Sequence, residues 1–139
     1  MPRLRCLVAV LSFCLFGCAS QPISNLDAIS VPTERILDSK YLNRSPNSGE
    51  VTVKRDSGFT GSACSTRIFV NGKPVADIRT SEKVVMYLPE GEYILSANPN
   101  GVCGGGMTEV KATVKSGAQS NYRYGTSGNG SPSIYPTAF

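Results

Sequence analysis

The chain has 139 residues, with 14 Lys or Arg against 10 Asp or Glu, a formal net charge of +4 and no histidine. That length suits one modest domain. The missing histidine removes Ser-His and Cys-His catalytic dyads and the commonest metal ligand. The basic residues are interleaved with acids rather than gathered in a patch, which argues against nucleic acid as a partner.

Arg3 and Arg5 open the chain, residues 7–16 carry no charge, and small residues follow. Basic, apolar, small is the order of a secretory signal peptide. The apolar run is far short of the roughly 20 residues that a membrane-spanning helix needs, so residues 1–17 read as a segment removed on export.

At its end, Leu15-Phe16-Gly17-Cys18 resembles the lipobox of bacterial lipoproteins. Leu15, Gly17 and Cys18 match it, while Phe16 stands where a smaller residue is usual. The resemblance implies that Cys18 becomes the first residue, thioether-linked to diacylglycerol and commonly acylated on its amine. Each buried CH₂ contributes about 0.8 kcal/mol, and two or more chains hold a protein on a membrane almost permanently. Ala19-Ser20 follows, with no Asp beside the cysteine. By the enteric sorting pattern this implies the outer membrane, facing the periplasm or the cell surface. Arg3 and Arg5 leave with the signal, so half of the positive excess belongs to the precursor alone.

Cys6 and Cys14 also leave with the signal, and Cys18 is spent on lipid. Cys64 and Cys103 remain, an even pair in an oxidising compartment. The expectation is one disulfide closing about 40 residues, a contribution of roughly 4 kcal/mol on the chain-entropy model. With no histidine and no C-x-x-C, two lone thiolates lack the partners that a metal or redox site requires. Neither metal nor cofactor is expected.

Residues 18–49 read as a lipidated tether. Ile36, Leu37, Tyr41 and Leu42 fall at helical spacing, which predicts a short helix across 33–42, packed on one edge of the domain. Residues 43–49 are a loop by composition.

Residues 50–125 carry a β-module. Val51-Thr52-Val53-Lys54 alternates like a half-buried strand. Residues 67–70 and 75–78 flank Asn71-Gly72, the strongest short hairpin signal, because both central positions of a type I′ turn need positive φ. Pro74 cannot donate to a ladder, so it belongs on an edge strand. Residues 83–88 and 92–97 flank Pro89-Glu90-Gly91, which reads as a type I turn closed by a left-handed glycine. Residues 109–115 alternate with Val110, Ala112 and Val114 facing inward, and residues 121–124 form a last strand. Residues 126–139 read as a flexible tail, of which 134–139 suit an added edge strand. About seven short strands with turns between them indicate an all-β antiparallel sandwich or barrel.

Val70-Asn71-Gly72-Lys73-Pro74-Val75 followed by Leu88-Pro89-Glu90-Gly91-Glu92-Tyr93 resembles a PEGA-type domain, with Glu92 in place of the Ala. The resemblance spans about residues 51–115. It implies a small antiparallel β-sandwich with surface or envelope roles and no agreed catalytic residues.

No catalytic residue is assigned. Asp56, Asp77, Glu82, Glu90, Glu92 and Glu109 fall on loops and polar faces, where solvation is the default. Glycines 101 and 104–106 lead into a strand rather than a helix N-terminus, so they do not make a phosphate cradle. Tyr87, Tyr93, Tyr122 and Tyr124 read as strand packing, unless two or more share an exposed face. The expected function is a non-enzymatic envelope module, anchored by lipid and binding an unknown envelope protein or cell-wall component. The alternative is an inhibitor or immunity lipoprotein that blocks a hydrolase or toxin through the 56–65 and 98–106 loops.

Overall fold

The computed structural model describes residues 20–58, 61–126 and 130–138. Cys18 and the signal segment lie outside the described residues. Nine strands form two open sheets packed face to face: β1 (Ile29–Ser30), β2 (Ser48–Arg55), β3 (Thr66–Val70), β4 (Lys73–Ile78), β5 (Glu82–Pro89), β6 (Gly91–Pro99), β7 (Thr108–Val114), β8 (Gln119–Thr126) and β9 (Pro132–Thr137). One sheet runs β1-β5-β2-β8-β9 and the other β4-β3-β6-β7. Their facing sides bury Val51, Val53, Ile68, Met86, Leu88 and Leu95 among others, a core of alternating inward positions as expected of a sandwich.

The all-β sandwich agrees with the sequence reading, with nine strands instead of about seven. The two further strands are β1 and β9, at opposite edges of the five-stranded sheet. That sheet is also mixed rather than antiparallel: β1 runs parallel to β5, and β2 parallel to β8.

The Asn71-Gly72 hairpin forms as its residues require. Val70 pairs with Lys73, and Asn71 and Gly72 have φ of 48° and 76°. Pro74 lies on β4, the edge of its sheet, where a missing N–H costs no ladder bond. Ala112 and Val114 are buried and Val110 packs partly against the core, so β7 faces as its alternation indicates.

Pro89-Glu90-Gly91 is not a hairpin turn. β5 and β6 belong to different sheets, and Glu90 carries the chain from one to the other. Gly91 has a φ of 156°, outside the left-handed helical region that a type I turn closure uses. Asn47 and Ser116 fix this crossing: the Glu90 N–H donates to Asn47 O (3.1 Å), and Ser116 N–H donates to Glu90 Oε2 (3.1 Å).

Residues 20–49 are not a free spacer over their described length. The helix expected across 33–42 is absent, and only a 3-10 turn at Thr33–Arg35 remains. Edge strands need backbone partners, and this segment supplies them. Leu37 N–H donates to Val75 O (2.8 Å) and Tyr41 O accepts from Tyr87 N–H (2.7 Å). Val31, Ile36, Tyr41 and Leu42 then pack on the core, reached by extended chain rather than by a helix face. Likewise β9 pairs with β8 from Asn121–Thr137 to Thr126–Pro132, so much of the expected tail is sheet.

Candidate functional site

β2 is buried on both faces, not half-buried. Val51 and Val53 face the core, while Thr52 and Lys54 face the outer side of the five-stranded sheet, beneath residues 20–31. Asn25 ties this cover down: its Nδ2 donates to Asn121 Oδ1 (2.8 Å), and its carbonyl accepts from Lys83 Nζ. Under the cover Lys54 is fully buried, and Asp56 pairs with Arg123 at 2.9 Å. Burial pushes the Lys54 ammonium down, and Arg123 and Lys83 push it the same way, while Asp56 opposes them. Burial likewise raises Asp56, and Arg123 and Lys54 draw it back.

Where β2 ends, the chain opens into the 56–65 loop, and β6 leads at the same end into the 98–106 loop. Cys64 and Cys103 join the two loops as a disulfide, with Cα atoms 6.1 Å apart. A second clamp backs it. Asn100 N–H donates to Ser65 O (2.8 Å), and Asn100 Nδ2 donates to Asp77 Oδ1 (2.9 Å). Arg67 grips that carboxylate with Nε and Nη2 at 2.9 and 2.8 Å, and this bidentate contact holds Asp77 below its usual range. Beyond the clamps Val102 projects with 97 % of its surface exposed.

Between the loops and the ends of β8 and β9 lies a cleft of about 340 Å³, lined by Arg55, Thr66, Tyr124, the disulfide and Pro132 among others. Arg55 is only 7 % exposed. Its Nη1 and Nη2 donate to the carbonyls of Cys64 and Gly61, each at 2.5 Å, and none of the ion pairs among the described residues includes it. Burial lowers its pKa, an effect that Tyr124 and Glu82 partly offset. The Thr66 hydroxyl, on a residue 1 % exposed, has no hydrogen-bond partner among the described residues. Asp56, paired with Arg123, lines the same mostly apolar cleft, and Arg55 is the lining cation that an anion carried on an apolar body would meet there.

The carboxylates singled out in the sequence have structural duties. Asp56, Asp77, Glu82 and Glu92 pair with Arg123, Arg67, Arg35 and Lys111. Glu109 accepts from Ser96 Oγ (2.9 Å), and Glu90 holds the crossing described above. Among the described residues no three His, Cys, Asp or Glu stand close enough to hold a metal, and no helix is long and apolar enough to cross a membrane. Tyr122 and Tyr124 are buried, Tyr87 and Tyr93 half-buried, so no exposed tyrosine face forms.

Cys64 and Cys103 meet, and with them the two expected loops, although residues 59–60 lie outside the described residues. Arg55 and Lys54 were not legible as site residues. Lys54 reads as the polar position of a half-buried strand, nothing marks Arg55, and Lys54 is buried beneath residues 20–31. Compared with models of known protein families and with curated proteins, the chain matches none.

Proposed function

We propose that this protein is a lipid-anchored module of the bacterial envelope, held on the outer membrane through Cys18, that binds a protein or cell-wall partner without catalysis. The observation that carries the binding reading is Arg55. Among the described residues its guanidinium donates to backbone carbonyls and pairs with no carboxylate, which leaves its charge to be met by an entering anion, and both kinds of partner offer peptide carboxylates. The lipobox-like residues and the disulfide favour an exported, oxidising location. The sandwich and the Asn71-Gly72 hairpin are consistent with a PEGA-like module, although the Pro-Glu-Gly crossing between sheets does not resemble a hairpin.

The test is an NMR titration of the protein with acetyl-alanyl-alanine, bearing a free carboxylate, and with its C-terminal amide. The acid is expected to shift the resonances of Arg55, Thr66 and Tyr124, and the amide is not. Filling the cleft mouth with Pro132→Trp should remove the response. Equal shifts with acid and amide, or none with either, would contradict the reading.

Val102, projecting beyond the disulfide and the Asn100 clamp, favours a second reading. An apolar side chain on a loop rigid at its base suits an inhibitor or immunity lipoprotein that enters a hydrolase or toxin through the 56–65 and 98–106 loops.

A further inference from the structure

The register places the first described residues at the cleft end of the sandwich. Gln21 N–H donates to Ser57 O (2.8 Å), Ser57 N–H returns to Gln21 O (2.9 Å), and Ser57 Oγ adds a third bond to the same carbonyl (3.1 Å). Ser20 itself lines the cleft beside Cys103 and Gly104. Three residues of fully extended chain span at most about 11 Å, so Cys18 can lie no farther than that from Gln21.

The same end gathers exposed apolar side chains. Met107 precedes β7, whose Thr108 pairs with Ala97 near the end of β6, and Val102 lies between them in the 98–106 loop. Both are exposed, at 49 % and 97 %. Ile29, 67 % exposed, pairs with Glu82 at the start of β5, and its N–H donates to Ser81 O in the turn that follows β4. Arg79, in that turn, is exposed and borders Val102 across a shallow pocket. The Asn71-Gly72 hairpin marks the opposite end of the same sheet.

We infer that the cleft end of the sandwich rests on the lipid surface, with Val102, Met107 and Ile29 entering the interface and Arg79 facing anionic headgroups. The inference rests on Cys18 carrying lipid. With so little chain between the anchor and the bridge at Ser57, the domain is held against the bilayer by this end. Apolar side chains with a flanking cation are the chemistry that binds an interface. The cleft then opens at membrane level, where a partner attached to or embedded in the same membrane reaches it. The occupant of the projecting loop is lipid, in place of the enzyme or toxin of the second reading.

The chain contains no tryptophan, so a single introduced indole reports its own depth. Acylated mature protein carrying Val102→Trp, and a second preparation carrying Lys73→Trp at the far hairpin, are reconstituted into phosphatidylethanolamine–phosphatidylglycerol vesicles with brominated acyl chains. The indole at position 102 is expected to shift to the blue and lose emission to bromine, while that at position 73 is expected to do neither. Equal quenching at both positions, or none at position 102 in protein that floats with the vesicles, overturns the orientation alone. A mass spectrum lacking acyl chains on Cys18 overturns the anchor reading and the orientation with it.

Discussion

Asp56 and Gly125 are neighbours for steric reasons. A Cβ built on Gly125 would stand 1.9 Å from Asp56 Oδ2 and 2.5 Å from its Cγ, so the carboxylate occupies the space of the missing side chain. Asp56 has little room to yield, because it is buried and pairs with Arg123, whose own guanidinium lies over the Tyr135 ring. Overpacking of this kind costs about 1–3 kcal/mol. Gly125→Ala should therefore lower the urea midpoint by that equivalent, and an unchanged midpoint would show that the carboxylate moves aside freely. Nothing in the local sequence announces this contact. Gly125 reads as the last residue of the β-module, next to a flexible tail, and its partner is about 70 residues earlier.

Among the elements, local signals were legible where the constraint is itself local. Asn71-Gly72 must be a tight turn because its backbone adopts positive φ at two successive positions, and Asn71 Oδ1 additionally accepts the Ile94 N–H (2.8 Å). A β-branched residue in left-handed conformation costs roughly 1–2 kcal/mol. Gly72→Val is expected to lower the melting temperature accordingly, and a neutral result in thermal unfolding would argue against the turn. The inward set of β7 was equally plain, since alternation alone specifies it. The parallel pairing of β2 with β8 was not legible, because it joins strands far apart in sequence and depends on which sheet each one enters. The spacing of Ile36, Leu37, Tyr41 and Leu42 suggested a helix for a related reason. Apolar residues that meet a core at 3.6-residue spacing can equally be delivered by an extended segment, and here the unpaired edges of β4 and β5 offer that segment hydrogen bonds.

For the whole molecule, packing of residues 20–49 onto the sandwich changes what the proposed anchor implies. A free spacer of that length would let the domain sample many orientations above a membrane. A segment paired at Gln21 and Ile29 at the cleft end, and at Tyr41 farther along β5, is held to the sandwich instead. The cleft with Arg55, the disulfide-bonded loops and the exposed Val102 all lie at that end, so location and binding become a single question. The anchor and the orientation both depend on Cys18 carrying lipid, while the binding reading rests on Arg55. The most direct measurement is metabolic palmitate labelling of cells expressing the full-length chain or Cys18→Ser. Label and membrane fractionation are expected for the wild-type protein, with both lost in the variant. Wild-type protein without label, or equal labelling of the two, would contradict it.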